Sequence, residues 1–372
     1  MIVYALLTLG TVIIALGINN HYEKLPYGYS RQQVLNGLCL VSVFLLLFAV
    51  SALRLNVGND YATYVEYFHL IRCKLDTEVV VPTEPGFNLV CLLIYFISGK
   101  TENYLLMFAV FAFVTIFLFM KGIYRQADNF AFSFFLFMTL GYYFQTFSTV
   151  RYYLALAMAF AAIPYVLRKE WLKFFLVVIL GATFHKSILI IIPLYFLAQW
   201  SWKKWQYVIA AAGCVTFFLF KDFYMKLFYL IYPTYEDVPM ADSNNVVGII
   251  RCVLVLIFAL IMFGKIKEDN RLKFFFYCNI GALLLYVCCS FLPSVSRAVY
   301  YLSVTHILFV PALILKIENK KLRVAITVLT VIGCLGYFAT FLMYKAAADG
   351  LRILPYQTFM FHDMVNILSE VG

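Results

Sequence analysis

The stretch from Trp171 to Trp200, WLKFFLVVILGATFHKSILIIIPLYFLAQW, decides the fold because it holds two apolar runs of similar length around a polar tetrapeptide. The tetrapeptide, residues 184–187, places His185 and Lys186 between the two runs. Each run has about 14 residues, hence about 21 Å of helix, against about 30 Å of hydrocarbon in a bilayer. The stretch therefore predicts a hairpin of two short helices, with a histidine and a lysine at its tip inside the membrane profile.

Basic residues flank both outer ends of this hairpin, and short cytoplasmic loops carry the Lys/Arg excess of membrane proteins. All six basic connections lie on the cytoplasmic side of the membrane if the hairpin crosses it twice and segment 86–98 does not cross it. Segment 86–98 is then re-entrant or interfacial. Both termini then lie on the opposite side. The basic connections contain Lys24 and Arg31, Lys121 and Arg125, Arg168 and Lys169, Lys203 and Lys204, residues 265–273, and residues 316–323.

The composition predicts an all-α polytopic integral membrane protein, because 64% of the residues are hydrophobic and only 13% are charged. We expect a single transmembrane domain over residues 1–372, with about 12 crossings and with outer loops at 54–85 and 221–247. The first segment lacks a basic n-region and is expected to remain as a span. The predicted spans are 1–18, 34–53, 103–120, 129–146, 150–167, 172–184, 187–200, 205–220, 248–264, 274–292, 298–316 and 323–344.

The charge balance and the cysteines exclude several classes of function. The 29 basic against 19 acidic residues lie mostly in short loops, where they report orientation rather than nucleic-acid binding. The nine cysteines form no C-x-x-C pair, so they indicate neither a disulfide framework nor a zinc site. The first outer loop has no D-x-D motif, which gives little support to a metal-dependent glycosyltransferase. We therefore expect neither a metal nor another cofactor.

Two arginines each begin a helix after a tight outer turn, at Arg151 and at Arg297. An arginine in the first turn opposes the helix dipole, so each should have an anionic partner or a ligand. With the hairpin tip on the same side, Arg151, Arg297 and His185 come from three separate hairpins. We therefore predict that they converge at one face of the membrane.

Each candidate side chain also has a simpler structural interpretation. His185 is either a histidine that hydrogen-bonds the backbone or a general base, for which an unperturbed pKa of about 6.5 is suitable. Lys186 either snorkels to the surface or contacts a ligand. The two arginines either bridge carboxylates such as Asp60 and Glu84, or clamp the oxygens of a diphosphate.

The two carboxylates and the neighbouring tyrosines have alternatives as well. Asp60 is either a solvated loop residue or part of the site, and Glu84, before Pro85, is either a helix cap or part of the site. The tyrosines that flank the two arginines either belong to an aromatic belt or stack on sugar faces. Of these tyrosines, Tyr152 and Tyr300 are the candidate substrate contacts.

Five short motifs occur in an order that resembles the EpsG-like branch of the Wzy-type bacterial polysaccharide polymerases, over roughly residues 40–305. Position 152 is tyrosine where the resemblance leads us to expect glutamine. The motifs are Arg54-Leu55-Asn56-Val57-Gly58-Asn59-Asp60-Tyr61 with Tyr64, Glu84-Pro85-Gly86-Phe87, Val150-Arg151, Phe184-His185-Lys186-Ser187, and Arg297 with Tyr300-Tyr301.

The resemblance implies an enzyme of the bacterial cytoplasmic (inner) membrane that builds capsule, exopolysaccharide or O-antigen. Its donor and acceptor would be oligosaccharides linked to undecaprenyl diphosphate, joined on the periplasmic or outer face. Membrane lipids, a chain-length regulator and a flippase are the other expected partners. Arg151 and Arg297 would hold the diphosphate, and His185 would take the acceptor proton, with Asp60 or Glu84 orienting it or acting as base instead. The remaining expected substrate contacts are Arg54, Lys186, Tyr61, Tyr152 and Tyr300.

Other classes of membrane protein share some of these features. A flippase or transporter would also have broken helices and membrane charges, but would place them near the bilayer centre within inverted repeats, which this sequence lacks. A glycan ligase would share the arginines and the histidine. An acyltransferase can use an intramembrane histidine but has less use for an arginine pair.

Overall fold

The computed structural model describes residues 1–21, 28, 30–73, 84–231, 246–293 and 295–361, and this part of the chain is helical. Its α-helices are α1 Ile2–Ala15, α2 Arg31–Ala52, α3 Tyr61–Cys73, α4 Pro85–Ile97, α5 Tyr104–Gln126, α6 Phe130–Thr139, α7 Tyr142–Gln145, α8 Val150–Leu167, α9 Trp171–Ala182, α10 Ile191–Gln199, α11 Lys204–Leu219, α12 Lys221–Ile231, α13 Val246–Ile261, α14 Phe263–Ile266, α15 Asn270–Cys288, α16 Val295–Ser303, α17 His306–Leu315 and α18 Lys320–Thr340. A 3₁₀ helix covers Lys186–Ile190, and a π-helical turn covers Phe341–Lys345.

Six helical segments of the described residues are long and apolar enough to cross a membrane, or seven if the pair α11 and α12, bent by 87°, is one span. The predicted number of about 12 crossings is therefore not confirmed. Several predicted spans are shorter helices instead; span 129–146, for example, is divided by Gly141, whose φ is +81°. The six segments are Arg31–Ala52, Tyr104–Gln126, Val150–Leu167, Asn270–Cys288, Val295–Leu315 and Lys320–Lys345.

Helices occupy part of both predicted outer loops. Loop 54–85 contains α3, which carries Tyr61, Tyr64 and Tyr67, and loop 221–247 begins with α12. Residues 74–83 and 232–245 of these loops lie outside the described residues. Most of segment 86–98 lies in the 13-residue helix α4, Pro85–Ile97, which is shorter than the helices long enough to cross a membrane.

The chain divides into two compact units. The first unit comprises residues 1–162, 176–188 and 314–372, and the second comprises residues 163–175 and 189–313. In the first unit α1 packs against α2 and α6, and α2 packs against α5. In the second unit α15 packs against α10, α13 and α16.

The hairpin predicted from residues 171–200 is confirmed as two short helices, α9 and α10, joined through the 3₁₀ helix. At the base of the hairpin the ring centroids of Trp171 and Phe196 are 6.0 Å apart, which brings the two arms side by side. At the tip Gly181 lies directly against the side chain of Ile188, so a β-carbon there would meet it. Residues 183–185, which include His185, form the break between the arms.

The two ends of the first unit are defined by different loops. At one end the Asn20 side chain binds the backbone of Ala127 and Phe130, which brings two predicted basic connections together. Asn36, near the start of α2, donates to the carbonyl of Asn19 at the same end. The 22 residues of α2 span about 33 Å, so its last residue, Ala52, lies at the opposite end.

At this opposite end, residues 346–361 (the C-terminal strap) run along the loop 53–59. Two tyrosines fasten the strap, because the Tyr4 hydroxyl donates to the Ile353 carbonyl at 2.6 Å and the Tyr356 hydroxyl donates to the Val50 carbonyl at 2.9 Å. The strap carbonyls accept backbone N–H bonds from the loop in the pairs Leu55–Gln357 (2.9 Å), Gly58–Arg352 (2.8 Å) and Asn59–Leu351 (3.0 Å).

Gly58 is the position in this loop where no side chain fits. Its φ is +114°, and a β-carbon would lie 2.8 Å from the carbonyl carbon of Phe147 and closer still to its oxygen. We expect Gly58→Ala to lower the free energy of unfolding by about 2–4 kcal/mol, from backbone strain plus the clash. Gly99→Ala is the matched control, since Gly99 has φ +65° with nothing within 4 Å, and should cost only about 1 kcal/mol. Thermal unfolding in detergent measures both, and equal shifts would contradict the prediction.

Candidate active site

The first predicted motif holds a buried cation. The Arg54 side chain is 1% exposed, and its Nη1 donates to the carbonyl oxygen of Ser51 and, at 3.1 Å, to the Ser51 hydroxyl. Its guanidinium carbon lies 4.9 Å from the ring centroid of Phe108 and 5.2 Å from that of Phe147. A cation at the C-terminus of α2 is favoured by the helix dipole and by the two ring faces, although burial lowers the pKa of Arg54. The predicted contact between Arg54 and substrate would require this end of the chain to open.

Two tyrosines of α3, Tyr61 and Tyr64, lie between the loop 53–59 and Arg151. Tyr61 is buried and stacked on Phe108, with ring centroids 4.3 Å apart, so its ring is not available to a sugar in this conformation. One turn later, the Tyr64 hydroxyl accepts the backbone N–H of Arg151 at 3.4 Å. Burial raises the pKa of the Tyr64 phenol, so this hydroxyl stays protonated at neutral pH.

Glu84 connects three segments of the first unit. Its side chain is buried, and although Glu84 occupies the N-cap position of α4, its carboxylate makes no capping hydrogen bond to that helix. Its Oε2 instead accepts from Nη1 of Arg151 at 2.5 Å, and its Oε1 accepts the backbone N–H of Lys186 at 3.4 Å. The carboxylate therefore joins the start of α4, the start of α8 and the tip of the hairpin.

Arg151 has the anionic partner that its position in the first turn of α8 predicts. Its side chain is only 15% exposed and is surrounded by rings as well as by the carboxylate. The guanidinium carbon lies 5.4 Å from the ring centroid of Tyr64, 5.5 Å from that of Tyr67 and 5.1 Å from that of Phe87. Such a ring of aromatic faces holds a cation in a fixed orientation and excludes water from it.

His185 lies half-buried beside this cluster. Its Nδ1 is 2.7 Å from the Ser187 hydroxyl oxygen and 3.3 Å from the Ser187 backbone nitrogen. The Ser187 backbone N–H donates to Nδ1, so Nδ1 is the acceptor nitrogen in this conformation and Ser187 fixes the orientation of the ring. The ring of Tyr152 packs edge-on against His185, with centroids 5.5 Å apart, and is itself buried. Tyr152 therefore supports the imidazole and does not present a face to a sugar in this conformation.

The other predicted residues of the first unit lie nearby in the chain. Asp60 is half-buried directly before α3, where its carbonyl oxygen accepts the N–H of Tyr64 at 3.0 Å. The neighbouring Asn59 accepts a hydrogen bond from Ser148, which holds the turn before Arg151 against the loop. Lys186 is half-buried at the hairpin tip.

The second unit carries Arg297 in the first turn of α16, as predicted, and Tyr300 three residues later in the same helix. The predicted convergence of Arg297 with Arg151 and His185 stays a prediction, because Arg297 belongs to the other unit. Among the described residues there is no group of three or more His, Cys, Asp or Glu side chains that could hold a metal ion. The expectation that the protein needs no metal likewise stays a prediction.

Sequence reasoning missed a buried polar cluster in the second unit. Nε2 of His306 lies 2.8 Å from the side-chain oxygen of Asn279, and the Asn279 amide donates to the carbonyl of Cys252 at 3.1 Å. Next to Cys252, Arg251 donates to the Ser303 hydroxyl at 3.3 Å. An arginine inside the apolar run of α13 was a visible signal, since such residues in membrane helices usually face protein.

The fold and the site together define a polytopic helical membrane protein with a buried Arg–Glu pair beside a histidine. The family model of the EpsG family matches residues 37–358, and the chain therefore belongs to the EpsG family. The predicted resemblance is confirmed, and the match extends to Thr358 in the C-terminal strap. Membership implies a glycosyltransferase-like polymerase of polysaccharide biosynthesis. No curated protein and no solved structure matches the chain.

Proposed function

We propose that this protein polymerises a polysaccharide by transferring the growing glycan from undecaprenyl diphosphate to a sugar hydroxyl of a lipid-linked repeat unit. The observation that carries the proposal is the double contact of Glu84 with Arg151 and with the hairpin tip. This contact brings a cation that cannot lose its charge into one cluster with the segment that holds His185. The cation can stabilise the departing diphosphate, and the imidazole can take the proton of the acceptor.

In the proposed reaction, the bond between the anomeric carbon and the diphosphate oxygen breaks, and a bond from the acceptor oxygen to that carbon forms. Arg151 stabilises the negative charge that the departing diphosphate gains. A guanidinium has five N–H donors, and Glu84 occupies Nη1, so a phosphate oxygen can bind beside the carboxylate. His185 takes the proton of the acceptor hydroxyl, with Asp60 or Glu84 as the alternative base.

The remaining cations and the apolar surface complete the proposed substrate site. Lys186 and Arg297 add positive charge for the diphosphate groups of donor and acceptor. Exposed apolar residues on many helices offer surfaces for the polyprenyl tails, among them Leu89 and Leu93 on α4, the helix that follows Glu84. A flippase that supplies the repeat units and a regulator of chain length are the proposed partners.

The site is proposed to face the outside of the bacterial cytoplasmic membrane. In the first unit, the connections near Asn20 and Ala127, which carry Lys24, Arg31 and Arg125 in the sequence, share one end. The loop 53–59 lies at the other end, and Asn59 in that loop contacts the turn before Arg151. Basic connections favour the cytoplasmic side, which supports an outward-facing site.

Reconstitution with a synthetic lipid-linked repeat unit tests the proposal. The purified protein in liposomes should convert the single unit into a ladder of products on a gel, and the ladder should persist in the presence of a chelator. Liposomes without protein are the control. Loss of the ladder in chelator would refute the metal-free mechanism. Translocation of intact units without any ladder would refute the polymerase and indicate a flippase.

A further inference from the structure

All four tryptophans of the chain lie within 35 residues of one another, in the second unit. Trp171 begins α9, Trp200 follows α10, and Trp202 and Trp205 surround the start of α11. Phe196 lies between two of them, with its ring centroid 6.0 Å from that of Trp171 and 5.0 Å from that of Trp200. Trp200 and Trp205 are 44% and 57% exposed, so the cluster is open to its surroundings.

These rings line two adjoining cavities of different character, which together we call the tryptophan groove. The cavities share the walls Phe196, Trp200, Trp205 and Gln206. The larger cavity, of about 500 Å³, adds polar residues, and the smaller one, of about 340 Å³, adds mostly apolar residues. The polar residues of the larger cavity include Lys169, Gln199, Ser201 and Lys203. The residues that line only the smaller cavity are Leu197, Trp202, Ile209 and Ala210.

The lysines of the groove carry positive charge that nearby acids do not neutralise. Within the part of the chain that the structure describes, no carboxylate lies within 4 Å of the ammonium of Lys169 or Lys203. The closest acid in sequence, Glu170, is already held by Lys173 at 2.6 Å and by Arg168 at 3.6 Å. The polar end of the groove therefore favours an anion.

The backbone at Lys169 adds a separate observation. α8 ends in a Schellman motif, in which Glu170 N–H donates to the Tyr165 carbonyl at 2.8 Å and Lys169 N–H donates to the Val166 carbonyl at 3.0 Å. Lys169 occupies the left-handed position of this motif, with φ +59°, where glycine is the usual residue. A lysine there is conformationally costly, which is consistent with a use for its charge.

We propose that the tryptophan groove binds an anionic phospholipid, with the phosphate at Lys169, Lys203 and Ser201 and an acyl chain along Leu197 and Ile209. A phospholipid fits because it joins a compact anion to a long apolar chain, as the groove joins a cationic cavity to an apolar one. The groove also borders apolar residues that face outward, such as Leu172 (74% exposed) and Val208 (70% exposed). Basic pockets on the predicted cytoplasmic side of membrane helices are suited to anionic headgroups.

The test compares lipid binding by the full-length wild type and by the double variant Lys169→Gly/Lys203→Gln. Lys169→Gly removes the charge while relieving the backbone, so the variant should fold at least as well as the wild type. Native mass spectrometry after reconstitution in phosphatidylglycerol should show bound phospholipid on the wild type. Binding to the variant should be weaker on the order of 30-fold, from two lysine–phosphate interactions. Phosphatidylcholine vesicles should give little binding to either protein.

Lys320→Gln/Lys321→Gln is the matched control, because it removes two lysines from another predicted cytoplasmic helix start, that of α18. This control should bind phosphatidylglycerol like the wild type. Equal loss in the control would show a general effect of surface charge and overturn the site. Unchanged binding by the groove variant would also overturn it, as would a retained lipid identified as polyprenyl phosphate. None of these outcomes depends on polymerase activity.

Discussion

Replacing Arg151 by alanine is expected to lower the rate of polymer formation by about 10²–10³-fold, which leaves no visible ladder on a gel. The reason is that the departing diphosphate then loses the fixed cation that stabilises its charge. Arg297→Ala is expected to act in the same direction if both arginines hold the diphosphate. The measurement is the initial rate of laddering by reconstituted protein, normalised to the amount that inserts and survives detergent extraction.

The contact between Arg151 and Glu84 makes a second explanation possible, and the experiment must separate the two. Removing Arg151 leaves a buried carboxylate unpaired, and breaking a buried ion pair costs about 3–5 kcal/mol of stability. The double variant Glu84→Gln/Arg151→Gln removes both charges and therefore avoids this penalty. If Arg151 only pairs with Glu84, the double variant regains both stability and activity. If Arg151 binds the diphosphate, the double variant regains stability and stays inactive.

Arg168→Gln is the control for loss of an arginine as such. Arg168 also pairs with a glutamate, Glu170 at 3.6 Å, but its side chain is 65% exposed. An exposed pair of this kind contributes little to stability because water screens it, so rate and stability should both stay at the wild-type value. A double variant at Glu84 and Arg151 that makes polymer at the normal rate would refute the role of Arg151 in the reaction.

The hairpin and the charged helix starts could be predicted because they depend on local patterns. Two apolar runs around His185 and Lys186 specify two short helices independently of the rest of the chain. The helix-dipole argument correctly predicts an anionic partner for Arg151. The same reasoning left open which anion it would be. Glu84 and Arg151 are 67 residues apart, and only the packing of α4 against the hairpin tip determines that they meet.

Other features lay beyond sequence reasoning because they depend on backbone contacts between distant segments. The C-terminal strap binds the loop 53–59 mainly through backbone N–H and carbonyl groups, which leave no trace in residue type. The same contacts between the strap and the loop 53–59 help to bury Arg54. The predicted number of about 12 spans is not confirmed, and one reason is that hydropathy alone does not register a break such as Gly141, where the backbone changes direction within an apolar run.

In the first unit, the candidate site and the basic connections lie at opposite ends, and this arrangement agrees with the proposed chemistry. The helix α2 is about 33 Å long, roughly the thickness of a bilayer core. It runs from the end where Asn20 makes its contacts to the loop 53–59, which contacts the turn before Arg151. A glycan joined at that end would grow away from the basic connections. Such an arrangement suits a reaction that uses lipid-linked units already moved across the membrane.

Replacing His185 by alanine is the second change expected to have a large effect, a loss of about 10²–10⁴-fold in the rate of chain transfer. The acceptor hydroxyl would then lose the imidazole that is proposed to take its proton. Ser187→Ala should cause a smaller loss, because it removes the hydrogen bond that orients Nδ1 but keeps the imidazole. The measurement is single-turnover transfer with both substrates saturating, so that binding does not enter the rate.

A structural role for His185 predicts different behaviour, and two variants distinguish the possibilities. His185→Gly leaves a space that free imidazole can fill, so added imidazole should restore part of the transfer rate if His185 is the base. A purely structural histidine would give a variant that unfolds at lower temperature and does not respond to imidazole. His69→Ala is the control, since His69 belongs to the same unit and pairs with Glu102 at 2.7 Å outside the cluster. If His185→Ala transfers glycan as fast as the His69→Ala variant does, the base must be sought at Asp60 or Glu84.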